Sequence, residues 1–359
     1  MKRLLLVVTM LTAILSLAAA DLPAAVWYVD GQIAASGTGG SWEQAKKTIQ
    51  EAITAAVNGD EVWVKQGTYP LAGTIAINKE VRVYGGFAGV ETSRDQRNWA
   101  KRPTILDGQN ARRCVSVNSP TAKAGLDGFR ITRGNNPTGG AIWVGTNLAY
   151  TLADATIITN CMIYNNVSVD GGGIYCDNFV GVISNCTIYN NSAYEGGGIC
   201  LFNAAYPAIA NCTIYGNNSD SYGGGIYHYM DSFTYVRNCI VWGNTAAYGS
   251  PQVYKYAGSS SYQYCDVQGG YSGTGNKNSD PLFMDAANQN FHLKAGSPCI
   301  DAGINTPTQY FGYNVLPATD LDGYPRNIDG NDDKVAKVDM GVYEFSRRAN
   351  LPWLLLLQD

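Results

Sequence analysis

Apolar and polar positions alternate with period two in four short phrases between residues 160 and 244. The first is Asn160-Cys161-Met162-Ile163-Tyr164-Asn165-Asn166. The others begin at Asn185, Asn211 and Asn238, so that their cysteines lie 25, 26 and 27 residues apart. Period two is the mark of a strand with one face buried. Cysteine and Ile or Val point to one side, while Met, Thr or Ile and then Tyr or Trp point to the other. Gly-Gly-Gly-Ile at residues 171–174, 196–199 and 223–226 is interleaved with these phrases and bounds the strands with turn residues. The interval between phrases shows no helical period.

A repeat of this length signals a solenoid whose units bury their apolar faces only against neighbouring units. At ~3.3 Å per residue, about 25 residues make one closed lap of three short strands with corners, and laps stack at roughly 4.8 Å. The expected object is a parallel β-helix. Stacking places Cys161, Cys186, Cys212 and Cys239 in one inward ladder and Ile163, Ile188, Ile214 and Val241 in a second. Asn166, Asn191, Asn217 and Asn244 fall at a corner, where Asn tolerates left-handed backbone and its amide can bond to the Asn above and below. Thiols stacked in register point in parallel, a poor geometry for a disulfide, so the ladder is expected to be buried free thiols. Of the nine cysteines, Cys176 and Cys200 are the better candidates for a bridge. With no Cys-x-x-Cys and only His228 and His292, the ladder is a poor metal site.

The ends of the chain differ from the middle. Lys2 and Arg3 precede an apolar run and Ala18-Ala19-Ala20, the pattern of a secretory signal peptide over residues 1–20. No later stretch reaches the ~18 apolar residues of a membrane span, which predicts a secreted or cell-surface protein with no transmembrane segment. Residues 21–100 form an N-terminal cap and first coils. There, strands are expected at Trp27-Tyr28-Val29-Asp30, residues 61–65 and residues 81–84, with Gly67-Thr68-Tyr69 as a corner. A helix over residues 42–57, capped by Ser41 and with Ile49, Ile53 and Ala56 on one face, would cover the open end of the solenoid. The repeat region spans 101–268, a Gly/Ser/Asn-rich break at 269–279 opens a closing region over 269–346, and an apolar tail occupies 347–359. That tail is expected to pack over the C-terminal end of the solenoid or to be a truncated anchor. The 41 Gly, 24 Tyr and 15% charged residues suit a chain of many corners and few helices. Without Lys2 and Arg3 the basic residues number 23 against 29 acidic, a net charge of −6, which argues against nucleic acid as a partner.

Several motifs carry a family resemblance. Trp27-Tyr28-Val29-Asp30, Thr48-Ile49-Gln50-Glu51-Ala52-Ile53 and Gly59-Asp60-Glu61-Val62-Trp63-Val64 resemble the N-terminal domain of unknown function that opens many bacterial right-handed parallel β-helix proteins of the pectin-lyase-like superfamily. Gly139-Gly140-Ala141-Ile142 and the glycine triplets are similar to repeats of polymorphic outer-membrane proteins and related adhesins. Asp280-Pro281-Leu282-Phe283, Ser297-Pro298-Cys299-Ile300-Asp301-Ala302-Gly303 and Val338-Asp339-Met340-Gly341-Val342-Tyr343-Glu344 resemble a choice-of-anchor Q domain. The resemblance implies an all-β fold, a right-handed single-stranded parallel β-helix with a short N-terminal capping helix. It says little about activity, because the superfamily holds lyases, hydrolases, adhesins and proteins of no known activity.

Two function classes follow. Tyr164, Tyr189, Tyr215 and Trp242 share one outward slot in four laps, and such a stripe either stacks on sugar rings or stabilises the sheet beneath a covering loop. The first class is therefore a non-catalytic adhesin or glycan-binding scaffold whose partner is an extracellular or cell-wall polysaccharide. The second is a polysaccharide lyase or hydrolase acting on acidic, uronate glycans. Lyases of the superfamily pair calcium-holding carboxylates with an Arg or Lys base. The candidates for those roles are Asp170 and Glu195, one lap apart, with Arg130, Arg133 and Arg237. The Asp-His and Arg-x-Pro-x-x-Arg patterns of pectate lyases and the Gly-His-Gly of polygalacturonases are absent from the sequence. Asp320, Asp322, Asp329 and Asn331 stand in oxygen-rich runs that suit either Ca²⁺ or turns.

Overall fold

The computed structural model describes residues 24–118, 123–145, 155–306, 309–310, 313–314 and 316–346. The expected signal peptide over residues 1–20 and the expected tail over 347–359 lie outside the described residues. Parallel strands stack into sheets of nine, eight, five and seven strands that run along the solenoid. One coil shows how they arise. Val180–Ser184 lies in the first sheet, Thr187–Tyr189 in the second, Ser192–Glu195 in the third and Ile199–Phe202 in the fourth. Four strands per lap replace the three expected from length. The extra one is the segment between the Asn corner and the glycine triplet, which pairs from Asn135–Thr138 onward.

Register follows the sequence phrase. Ile163 pairs with Ile188, Ile188 with Ile214 and Ile214 with Val241, and all four are fully buried. The thiols of Cys161, Cys186, Cys212 and Cys239 point inward with them, joined by Cys265 one coil further on. Each bonds locally, as Cys186 Sγ does to the Ser184 carbonyl at 3.1 Å. All nine cysteines are buried free thiols. The bridge expected between Cys176 and Cys200 does not form, because Tyr175 rather than Cys176 is the register partner of Cys200. That one-residue offset sends Cys176 inward and Cys200 outward.

The Asn corner is a hydrogen-bonded column. Asn166 Nδ2 donates to Asn191 Oδ1 at 2.8 Å, Asn191 Nδ2 to Asn217 Oδ1 at 3.0 Å and Asn217 Nδ2 to Asn244 Oδ1 at 2.9 Å. Each also reaches a carbonyl of the preceding coil, as Asn191 does to Ile163 at 2.9 Å. The left-handed residue is the one before, at Asn165, Asn190, Gly216 and Gly243, not the ladder Asn as expected. A second left-handed set, Asn160, Asn185, Asn211 and Asn238, opens each phrase.

The capping helix is shorter than expected, Ile49–Ala55. Thr48 caps it by accepting from the Glu51 amide, while the Glu51 carboxylate accepts from Thr48 N, a reciprocal capping box. Before it the chain turns and is tied to Val26–Val29 at a single bridge, where Lys46 N donates to the Tyr28 carbonyl at 2.8 Å. Ser41 therefore closes only a turn, to Gln44 N. Ile49, Ala52, Ile53 and Ala56 join the same core as Val62 and Ile75, so the helix covers the first coils. Gly67–Pro70 is a strand paired to Thr104–Asp107, where a corner was expected.

The closing region folds back along the outer face of the second sheet. Phe283–Asp285 pairs antiparallel with Asn290–Leu293, and Phe283, Phe291, Met340 and Tyr343 form a second apolar cluster with Tyr189 and Ile240. Directed bonds fix it to several coils. Trp99 Nε1 donates to the Leu321 carbonyl, Val342 N to Thr213 Oγ1 and Gly341 N to the Asn238 carbonyl. At its centre the Arg326 guanidinium donates to Glu344 Oε1 at 2.7 Å and to Asn185 Oδ1 at 2.5 Å, with both charged side chains almost wholly buried. Asp339 is buried beside them. Burial and the neighbouring Glu344 charge push its carboxyl up to about 8; burial also raises Glu344, to about 7, opposed by its ion pair with Arg326.

Two consequences are measurable. Asn191→Ala strands the Asn166 amide groups and the Ile163 carbonyl in the core and is expected to cost about 2–4 kcal/mol in urea unfolding; a loss below about 1 kcal/mol would mean the ladder is dispensable. Folded Asp339 keeps a proton that the unfolded chain releases near pH 3.9, so its contribution is complete below that range and is lost as pH rises to about 8. The stability difference between wild type and Asp339→Asn, followed by thermal melting, is therefore expected to move against wild type from pH 5 to pH 8. A difference that stays constant would contradict the buried proton.

Candidate functional site

The stripe expected to meet sugars is covered. Tyr164 and Tyr189 stack in register, with ring centroids 5.1 Å apart and planes within 6°. Phe291 lies against Tyr189 at 5.3 Å and against Tyr215 at 5.2 Å, and Phe283 closes on Tyr215 at 5.7 Å. Tyr189 is 2% exposed, and Tyr164, Tyr215 and Trp242 are half-buried in the same cluster. These residues hold the closing region in place and present no open platform.

The oxygen-rich runs are turns. Asp320 Oδ1 accepts from the Asp322 and Tyr324 amides and its Oδ2 from Glu344 N. Asp322 instead accepts from His292 Nε2 at 2.8 Å. Asp329 takes the amides of Asp332 and Lys334, while Asn331 accepts from Asp333 N. These oxygens are engaged in separate turns. Among the described residues no three His, Cys, Asp or Glu side chains are placed to share a metal.

A second aromatic face stands on the fourth sheet, with a buried floor in which Tyr175, Cys200 and Tyr227 are 6%, 1% and 2% exposed, and a more exposed rim. Counting from the first apolar residue after each glycine turn, the next position points out: Trp143, Tyr175, Cys200, Tyr227 and Tyr254 lie in one register column. Two residues further along, Asp177 pairs with Phe202. Phe202 stacks on Tyr229 at 5.0 Å and 3°, and Tyr229 on Tyr256 at 5.3 Å and 24°. Tyr222 stacks on Tyr254 at 4.4 Å, bridging from the third sheet. Tyr175 and Tyr227 form the floor, Phe202 and Tyr229 are half-buried above them, and Tyr256 is 65% exposed.

Glycine sets carboxylates beside this floor. Gly171 and Gly196 each have φ +65°, and a Cβ there would lie 2.9 Å from Tyr175 Cβ or 2.8 Å from Cys200 Cβ. The tight turn therefore brings the residue before the triplet against the outward residue after it. Asp170 and Glu195 occupy that place and are register partners, one rung of about 4.8 Å apart. Burial raises the Asp170 carboxyl above the usual range. Burial and then the Asp170 charge raise that of Glu195, opposed by a hydrogen bond from Tyr227. Burial also holds the intervening Cys200 thiol protonated, with Asp170 and Glu195 adding to the effect.

The candidate arginines stand elsewhere. Arg133 pairs with Asp107. The charge of Arg130 acts on Tyr164, Tyr189 and Tyr343, on the covered face, and Arg237 ends a strand of the first sheet. None of these three pairs with Asp170 or Glu195, whereas Arg113, bonded to the Thr138 carbonyl, stands one rung from Asp170.

A model of the right-handed β-helix region matches residues 140–273. The fold is a right-handed parallel β-helix. Among solved structures, the chain is similar to pectate lyase Pel9A at 13% identity and TM-score 0.49, covering 90% of this chain and 97% of that one. Two structures of the pectin methylesterase from Aspergillus niger, in deglycosylated and penultimately deglycosylated forms, align at 16% identity and TM-score 0.35. They cover 71% of this chain and 83% of theirs. No curated protein matches the sequence. Among the described residues no helix is long and apolar enough to cross a membrane.

The fourth-sheet columns escape the sequence repeat because their residues vary from lap to lap. The signal that finds them is the +1 and +3 position after Ile174, Ile199, Ile226 and Val253, where seven of eight residues are aromatic, acidic or both in alternation: Tyr175, Asp177, Phe202, Tyr227, Tyr229, Tyr254 and Tyr256. If Asp170 and Glu195 share a rung, Asp170→Asn lowers the Glu195 pKa, read by carbon-detected NMR titration of the side-chain carboxyl. An unchanged Glu195 would place the two apart.

Proposed function

We propose that this is an exported or cell-surface glycan-binding protein that lays a polysaccharide chain along the aromatic face of the fourth sheet. The observation that carries this reading is the stack of Phe202, Tyr229 and Tyr256 beside Tyr254 and Tyr222, repeated at the coil spacing and facing outward. Aromatic faces stack on the apolar C–H faces of sugar rings, and the hydroxyls around a ring find acceptors in Asp177 and Glu195. A linear array of such surfaces suits a linear polymer. The leader pattern over residues 1–20 supports export, and the resemblance of residues 280–344 to an anchor domain supports a place at the cell surface.

A hydrolytic reading has one observation behind it, the Asp170–Glu195 pair with raised carboxyls one rung apart. Release of reducing ends that disappears in Glu195→Gln would favour it over simple binding. Uronate elimination has less support, since it needs a free base and Arg113, one rung from Asp170, is committed to Thr138, Gly139 and Asn136.

Affinity electrophoresis through gels containing different polysaccharides tests binding. Tyr229→Ala and Tyr256→Ala are each expected to weaken retention up to about tenfold while leaving the melting temperature nearly unchanged for the exposed Tyr256. Tyr215→Ala, on the covered face, is expected to lower stability. Retention by no polysaccharide, or retention indifferent to Tyr229 and Tyr256, would remove the proposal.

A further inference from the structure

We infer that the glycan held on this face carries free amino groups, so that the preferred ligand is a polymer of unacetylated amino sugars and not a polyuronate. The inference rests on the glycan-binding reading above and concerns the charge of its ligand. The argument is one of complementarity along the face. Asp170 and Glu195 are stacked at the border of the aromatic floor, and Asp177 heads the Phe202–Tyr229–Tyr256 column. The cations near the face stand at its two ends. Arg113 lies 5.9 Å from the Trp143 ring, with its guanidinium occupied by the carbonyls of Thr138 and Gly139 and by Asn136. Lys255 stands in the last coil of the sheet. Asp170, Glu195 and Asp177 are thus the charged groups that border the first two coils of the floor, while Arg113, one rung from Asp170, is committed to Thr138, Gly139 and Asn136.

A polyuronate would bring its carboxylates against Asp170 and Glu195, adding like charges to a pair that already repels. An ammonium does the reverse. Set between the two carboxylates it satisfies both, removes their mutual repulsion and accepts the hydrogen-bond geometry of acceptors on two sides. Tyr227, whose hydroxyl donates to Glu195, leaves that carboxylate oriented toward the face. The sugar ring carrying the ammonium can then lie on the neighbouring aromatic column, so that charge selects the sugar and stacking supplies the hold.

Calorimetric titration of the protein with three probes separates the outcomes: oligomers of glucosamine, the same oligomers N-acetylated, and oligogalacturonate. The expected result is glucosamine oligomers bound at least tenfold more tightly than their N-acetylated counterparts. That advantage should shrink at 0.5 M salt and disappear in the double variant Asp170→Asn with Glu195→Gln. Equal affinity for the first two probes, or tighter binding of oligogalacturonate, would overturn the inference. If Tyr229→Ala still weakened that binding, the glycan-binding reading would stand without it. Binding of none of the three would overturn the inference, and failure on the wider set of polysaccharide gels would then remove the reading beneath it. The ligand comparison uses wild-type protein, so it holds whether or not the double variant folds.

Discussion

In-register stacking of the coils is the constraint on which every other feature depends. Inward Ile163, Ile188, Ile214 and Val241 exclude water, but apolar burial is non-directional and does not choose among registers by itself. The Asn166–Asn191–Asn217–Asn244 ladder is directional: each side chain spans from its own coil to the next and to a backbone carbonyl. A one-residue slip would carry Thr187 inward, Ile188 outward and break every rung at once. Coils of 25, 26 and 27 residues hold this register because their additional residues are taken up elsewhere. In the third coil one is absorbed in Asn218–Tyr222, where the pairing shifts between Ser219 and Tyr222.

Once register is set, alternation decides which side chains can meet anything outside the solenoid. The same rule produces two aromatic faces, and they have different fates. On the second sheet the outward tyrosines stand among Thr187 and Thr213, and the opening Asn residues Asn185 and Asn238 turn their amides toward the closing region. Those groups give a covering segment both apolar surface and hydrogen-bond partners, including the Arg326 contact to Asn185. On the fourth sheet the outward tyrosines adjoin Asp170, Glu195 and Asp177.

Much of this architecture was legible in the chain. The cysteine spacing measures one coil, the period-two phrase identifies the inward column, and Thr48 with Glu51 is a readable capping box, though Ser41 was the more prominent start signal. The four-strand lap was not legible, because Ser192-Ala193-Tyr194-Glu195 has no strong strand pattern and pairs only when neighbouring coils present equivalent edges. The Cys176–Cys200 relation was misread for a simple reason: counts after a glycine triplet differ by one between them, and one residue is the whole difference between inside and outside. The site itself was hidden because exposure of a stripe is a tertiary property. Tyr189 and Tyr227 are both outward and both 2% exposed, the first beneath Phe291 of the closing region and the second among the tyrosines of its own face.

That path has a physical reason in the charges. A segment laid over the fourth sheet would have to desolvate Asp170 and Glu195, which already sit above their usual pKa range for want of water, and it would need cations to match them. The closing region has one buried cation, Arg326, and it is committed to Glu344 in a cluster where Asp339 must keep its proton. Four carboxylates, Asp301, Asp320, Asp339 and Glu344, are buried in that region, so docking it on an acidic face would add like charge to like charge. The second sheet offers amides and hydroxyls in place of carboxylates and therefore receives the segment. The carboxylates beside the glycine turns thus make the fourth sheet the less favourable of the two faces for the closing region. The groups that repel the protein's own closing region are the groups that would discriminate among ligands reaching the face from outside.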